Sequence, residues 1–534
     1  MELCDKYIHD CILLNPSLND YIKIDKYNHL RGNYVNIYSD KYCKQDEKLL
    51  NKYLTILKKK KNKNDYDNLF YRDLKYDNKI SYFSNQYFPL SSLDNIYLNF
   101  IYDIKSSRTD YEFNDISSYN DFIKRLKKLN EITNSIIKDL NVGIKDKVII
   151  SGIIIHRIIE QLEDSIKENT YDNNYNHYKD IPSSIKKKFL STIEDYLIKN
   201  IKKILKFLIE NYSVHCKSKI GLCSYKQGKR YYRDIVSNLT LKDYTPEKIH
   251  NLGLKYVTEY LKKLKYLQKK MNKSGDVFDF IQETSLKTTD KNHISELKTI
   301  REKTIQYLYP KYFDDIIKKK DYYDIKCVTK EEKNTSAYYL LPDLKKNKKG
   351  TFYINSLNSK NINTHELHTL SLHEGYPGHH YESLINLNKD KPLYFKVNNT
   401  YISYIEGWGL YCESLIQTKN NYEIFWNIIY SLHRSIRLVV DTGIHYYGWS
   451  YEKSFQYMNK YLPMSDEFIK NEICRYIDDP GQALTYKIGE NFIQELRKLY
   501  FKKHKNDYSG FHKIILSIGP CPLDILKEKF MTYL

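Results

Sequence analysis

The amino-acid sequence predicts a mainly α protein with one small β element, and three segments carry that prediction. Residues 185–214, IKKKFLSTIEDYLIKNIKKILKFLIENYSV, place Ile, Leu and Phe three and four positions apart with Lys between them, which puts one apolar stripe on a helix. Residues 246–271 repeat that period behind Thr245-Pro246-Glu247, where Thr can cap the helix and Pro suits its first position. The strand candidate is Gly350–Asn355, GTFYIN, which is short, aromatic and β-branched.

Around these segments the helical pattern runs through the whole chain. Residues 1 to about 130 alternate Tyr- and Leu-rich helical stretches with a Lys run, Lys58–Lys61, that reads as a solvated helix end or loop. The segment Gly221–Arg230 has two glycines before Lys229, but six residues separate them and Arg230 stands where a phosphate loop needs Ser or Thr. It reads as a turn before a helix. No long Gly/Ser/Pro linker divides the chain. A helical region over 1–215 and a catalytic region over 216–534 are therefore expected to meet at a soft boundary, within one continuous body.

Composition excludes several classes. The 534 residues are 41% hydrophobic and 28% charged, enough apolar material for a core and too much for a disordered chain. A net charge of +20 would suit an anionic partner. However, Lys, Asn, Ile and Tyr saturate every part of the sequence, with 54 Tyr against 18 Gly and 12 Pro, so the charge reads as a solvated background and no nucleic-acid partner is expected. The longest mainly apolar stretch, Val148–Ile155, is far shorter than the ~20 residues of a membrane span. The start, MELCDKYIHDC, lacks a basic end followed by an apolar core. A cytoplasmic protein without membrane contact is the expectation. Nine scattered Cys without a C-x-x-C pair predict reduced thiols.

Residues 364–384, THELHTLSLHEGYPGHHYESL, gather five histidines around Glu366, Glu374 and Glu382. Neutral imidazole is the commonest metal ligand, and a His followed by Glu is the first half of a zinc-hydrolase motif in which His binds metal and Glu takes a proton from water. His373-Glu374 is that pair. The second His ordinarily lies four residues on, about 6 Å up the helix and about 40° round it, but position 377 is Pro. On an unbroken helix His379 would stand at about 600°, facing away, and His380 at about 700° but about 10.5 Å along. Pro377 has no N–H to give and Gly378 adds freedom, so the helix should loosen and bring His379 round, with His380 as the alternative. Two histidines need a third ligand and an open position. Glu406, among apolar neighbours in Tyr404–Glu413, is the expected one, and Glu413, seven residues on, is placed to orient a ligand histidine.

HEGYPGHH, YIEGWGLYCESL, RLVVDTGIHYYGW (437–449) and RYIDDPGQALTYKIG (475–489) resemble the successive signature blocks of the domain-of-unknown-function 885 family. Weaker likenesses, KIGLCSYKQGKRYYRDIV, GTFYIN and FHKIILSIGPCPLDIL, extend the resemblance over most of the chain. That family is grouped with glutamate-type zinc peptidases. The resemblance implies a glutamate-zincin-like helical fold with a small β-sheet beside the active-site helix, and a Zn²⁺ cofactor.

The expected activity is therefore zinc-dependent hydrolysis of short peptides, with Glu374 as base. Another amide or ester hydrolase, or a catalytically silent helical binding protein, are the alternatives. Donors opposite the metal would stabilise an oxyanion, with His445 and Tyr486 the expected ones and Tyr446 a further candidate. Arg437 and Arg475 are expected to bind substrate, as is Tyr447; Arg434 and Lys487 are weaker candidates for holding a substrate carboxylate. Gly350–Asn355 is expected to be an exposed sheet edge that pairs with the peptide, with Tyr353 at the contact.

Overall fold

Helices form where the three-to-four-residue apolar period is strongest, and the computed structural model shows how they are grouped. It describes residues 2–83, 85–105, 111–167, 181–216, 218–285, 293–313, 322–328, 337–342, 349–357, 363–398 and 400–534. The chain divides into two compact units. One comprises Met1–Ile220, Ser224–Gly228 and Lys391–Val397; the other comprises Gly221–Cys223, Lys229–Asp390 and Asn398–Leu534.

The first unit is helical among its described residues. Helix Leu129–Asp146 buries Leu129, Ile132, Ile136 and Leu140, and Gly152–Lys167 buries Ile154, Ile155, Ile158 and Leu162, each set on one face as the period requires. The 185–214 pattern forms a helical run from Ser183 to His215, interrupted by wider turns at Ile193–Ile198 and Leu208–Tyr212. Lys58 and Lys59 close helix Asp40–Lys59, where positive charge favours the carbonyl end.

In the second unit, α1 (Pro246–Lys270) starts as expected, with the Thr245 side chain accepting from the Lys248 amide at 3.2 Å. A three-stranded sheet follows, made of β1 (Asp324–Cys327), β2 (Ala337–Leu340) and β3 (Thr351–Ile354) in the order β1-β3-β2. β3 pairs parallel with β1 and antiparallel with β2, with Tyr353 opposite Lys326 on one side and Tyr338 on the other. The expected exposed edge is thus the central strand. Phe352 and Ile354 are buried and both hydrogen-bonding sides of β3 are used, so no peptide can add there.

Six further helices build the region of interest: α2 (Leu367–Glu374), α3 (His379–Asn388), α4 (Ile402–Glu413), α5 (Asn421–His445), α6 (Asp466–Asp478) and α7 (Gln482–Lys503). α5 is buried without a break from Leu432 to His445, the signature of a helix surrounded by others. α4 and α7 pack backbone to backbone: a Cβ on Gly407 would lie 2.5 Å from the Gly489 carbonyl carbon, and one on Gly489 would collide with the Ser403 carbonyl oxygen. No helix among the described residues is long and apolar enough to cross a membrane, and all nine cysteines are free thiols.

Candidate metal centre

The helix that carries His373 ends one residue later, at Glu374. The loosening expected at Pro377 is a complete break: Gly375–Gly378 form a turn containing a cis Tyr376–Pro377 bond, and α3 starts afresh at His379. The indole N–H of Trp408 donates to the Pro377 carbonyl at 2.9 Å and ties this turn to α4. The break lets His379 face His373 although an unbroken helix would turn it away.

The two imidazoles meet edge to face with centroids 4.6 Å apart, and Glu406 of α4 closes the triangle. Its Oε2 lies 3.3 Å from His373 Nε2 and 3.5 Å from His379 Nε2; one ligand atom from each residue falls within 4.8 Å of the others. Ligands about 2.05 Å from a tetrahedral zinc stand about 3.3 Å apart, which the two distances from Glu406 match. His380 is excluded from the group. Its Nδ1 is 2.6 Å from the Tyr339 hydroxyl and its Nε2 3.1 Å from that of Tyr376, so the ring fastens β2 to the turn.

Glu406 and Glu413 are seven residues apart, two turns on one face of α4, and they grip His373 from opposite sides. Glu413 Oε1 accepts from His373 Nδ1 at 2.8 Å, the carboxylate–imidazole contact that orients a metal ligand. Burial alone would lower the His373 pKa, but Glu406 and Glu413 outweigh it and push it up to about 10. Burial would raise Glu406, yet the two imidazoles hold it well below the usual carboxylate range.

Glu406 Oε2 and His379 Nδ1 are both buried without a hydrogen-bond partner. An orphaned carboxylate oxygen is costly in a protein interior, and a divalent ion at the centre of the triangle would satisfy the Glu406 oxygen. Two imidazoles and one carboxylate form a zinc-type donor set with one position left open. Glu374 is buried beside this group. Burial raises its pKa, and His373 and His379 oppose the rise.

The remaining expected residues separate into two groups. Tyr486 of α7 is beside the cluster, its ring near-parallel to that of His373 with centroids 6.5 Å apart. The Arg437 guanidinium lies 4.7 Å from the centre of the same ring, and Arg475 shares a carboxylate, Glu472, with Arg437. Arg434 stands 3.8 Å from Glu413.

His445 does not belong to the site. It is buried, with the Leu222 amide donating to Nδ1 at 3.2 Å and Nε2 donating to the Tyr476 carbonyl at 2.8 Å. Both nitrogens are occupied, so the ring has no proton to offer an oxyanion. Tyr446 bonds to Glu247 and Arg233. Tyr447 is 46% exposed and packs on His250 and Tyr446, Tyr353 stacks on Tyr338, and Lys487 is buried against Glu490 and Tyr260. None of these joins the cluster. Sequence reasoning missed Glu472, whose signal was its place three residues before Arg475. It also missed Gly409, whose Cβ would lie 2.7 Å from the His373 ring.

Fold and site together define a mainly helical protein with two histidines and a glutamate gathered on the turn-and-helix frame of α2, α3 and α4. The chain belongs to the family described as "Bacterial protein of unknown function (DUF885)", which it matches over residues 24–530. A solved structure described as a lipoprotein from Colwellia psychrerythraea superposes with a TM-score of 0.84 at 19% identity, covering 99% of this chain and 98% of that one. A second, described as a lipoprotein of unknown function from Shewanella oneidensis, gives 0.75 at 15% identity, again over 99% and 98% of the two chains. At these identities the likeness concerns the fold. No curated protein matches the sequence.

Proposed function

We propose that the protein is a zinc-dependent peptidase acting on short peptides. The observation that carries this reading is the His373–His379–Glu406 triangle with a buried, non-ligating Glu374 beside it. Zinc held by those three side chains would supply Lewis acidity to a substrate carbonyl and acidity to a water molecule. The Glu374 carboxylate would take the proton from the attacking water and deliver it to the leaving amine nitrogen. The Tyr486 hydroxyl, which accepts from Gln482 Nε2 at 3.3 Å, would donate to the carbonyl oxygen as negative charge builds there. Glu413 would keep the His373 ring aimed through Nδ1.

The test combines metal analysis with digestion of a peptide library. About one zinc per chain should be found, chelation should remove metal and hydrolysis together, and added Zn²⁺ should restore both. Glu374→Gln should keep the zinc and lose about 10²–10⁴-fold in turnover. Near-normal turnover by that variant, or activity that survives complete removal of the metal, would reject the mechanism.

A further inference from the structure

The strongest unexplained feature of the second unit is an excess of buried hydrogen-bond donors next to Tyr486. Five donor atoms converge on one oxygen, Glu472 Oε2: His433 Nε2 at 3.0 Å, Arg437 Nε at 3.2 Å and Nη2 at 3.0 Å, Arg475 Nη2 at 3.0 Å, and the Tyr476 hydroxyl at 2.6 Å. A carboxylate oxygen offers about two lone pairs. Arg475 uses its remaining nitrogens on Glu472 Oε1 at 3.2 Å and the Gln482 side chain at 2.6 Å.

The charges are equally unbalanced. Two guanidinium groups share this one carboxylate. Burial, with Arg437 beside it, pushes His433 down to about 3, so it is neutral at pH 7. Asp441 and Asp479 are the further acids whose fields reach Arg475, but burial pushes both up, Asp441 to about 7, and the Asp441 oxygens are taken by the Tyr232 hydroxyl and the Gly481 amide. A buried cation without its own counter-ion is expensive, and arginine presents a fork that fits a carboxylate. The group opens to solvent at Arg475, whose side chain is 22% exposed, while Arg437 behind it is buried. One ring touches both groups: the Arg437 guanidinium packs over Tyr486, and the His373 ring is near-parallel to it at the distances already given.

We propose that Arg437 and Arg475 bind the free C-terminal carboxylate of the substrate peptide, making the enzyme an exopeptidase that cuts near the carboxyl end. This rests on the peptidase reading and specifies its substrate class. The incoming carboxylate takes over guanidinium donors now crowded onto Glu472 Oε2, and the chain then runs past Tyr486 so that a scissile carbonyl close to the C-terminus reaches the His373–His379–Glu406 triangle.

The test compares one N-acetylated tetrapeptide as the free acid and as its C-terminal amide, on the zinc-loaded protein. The acid should show a kcat/KM about 10- to 100-fold higher, the range expected for hydrogen bonds to a charged group, and mass spectrometry should find cleavage within its last residues. Arg475→Gln should bring the acid-to-amide ratio close to one with zinc content unchanged, while Arg475→Lys keeps part of the preference. A readout independent of turnover is calorimetric binding of the two peptides to the Glu374→Gln protein, where the acid should again bind at least about tenfold more tightly. Equal hydrolysis and equal binding of acid and amide overturn the carboxylate site and leave the peptidase reading standing. If neither peptide is cleaved, the peptidase reading fails, and the binding comparison still decides whether the arginine pair recognises a carboxylate.

Discussion

Replacing Gly409 by alanine tests the construction of the proposed metal centre, because helix propensity and the site geometry predict opposite signs. Gly409 lies inside α4, and a Gly→Ala change at an ordinary mid-helix position stabilises by about 0.5–1 kcal/mol. Here the new methyl would sit 2.7 Å from His373 Cε1 and 3.0 Å from both ring nitrogens. Ordinary carbon contact needs about 3.5 Å, so the ring must retreat by roughly 0.8 Å. The ring has little room, being held by Glu413 at 2.8 Å and flanked by Glu406 at 3.3 Å. The helix cannot yield either, since Gly407 is pressed against the backbone of α7. Overpacking of this kind costs about 1–3 kcal/mol, and disturbing a ligand's support costs about 10- to 100-fold in metal affinity. Zinc affinity is read by competition with a chromophoric chelator, and the stability of the metal-free protein by urea unfolding. Gly409→Ala should be weaker in both. A variant that binds zinc like the wild type and gains stability would refute the placement of the His373 ring.

Glu413→Gln keeps a hydrogen-bonding side chain at His373 Nδ1 and removes its charge, so zinc affinity should fall about tenfold; an unchanged value in the same competition would leave Glu413 as packing only. His445 should stay neutral well below pH 6, because burial pushes it down to about 4 with the Tyr476 carbonyl opposing. The unfolded chain then takes up the proton first, so this residue's contribution to stability is complete above about pH 6.5 and is lost by about 1.4 kcal/mol per unit as the pH falls toward 4. An NMR titration showing His445 protonating near 6.5 would contradict the two bonds assigned to its ring. Tyr353→Pro removes an N–H from the central strand and introduces a ring into a ladder paired on both sides, which should destabilise the fold by about 3 kcal/mol or more; a loss of peptide turnover with melting temperature unchanged would instead favour an edge role for that strand.

Sequence made the residues of the candidate site legible wherever their relation is local. Glu374 follows His373 directly, and Glu406 and Glu413 share a helix face by their spacing alone. His379 was legible only through the interruption, since regular periodicity points it away and Pro377 with Gly378 is what turns it back. Pairing over distance was not legible. β3 reads as a strand from its own residues, but its partners are four-residue segments, DIKC and AYYL, too short to announce themselves. His445 looks available in sequence because the amide that occupies its Nδ1 belongs to Leu222, far upstream in the chain. Arg437 and Arg475 were visible as cations, while their shared dependence on Glu472 is a property of three side chains from two helices meeting in space.

The close crossing of α4 and α7 explains why these separate features form one arrangement. Glu406 and Gly407 are adjacent on α4, and Tyr486 stands three residues before Gly489 on α7, so both functional side chains lie within a turn of the glycine contact. With no Cβ on either side, the two backbones come into direct contact, which larger side chains at the crossing would prevent. That approach places the Tyr486 ring against His373, and Arg437, reaching in from α5, packs on the same ring. The separation between Glu406 and Tyr486 is therefore governed by a backbone contact, which resists deformation better than side-chain packing does. Under the proposed function, the His373–His379–Glu406 triangle and Tyr486 would need a fixed separation to act on one carbonyl, and the glycine-to-glycine crossing of the helices that carry Glu406 and Tyr486 is a direct way to supply it.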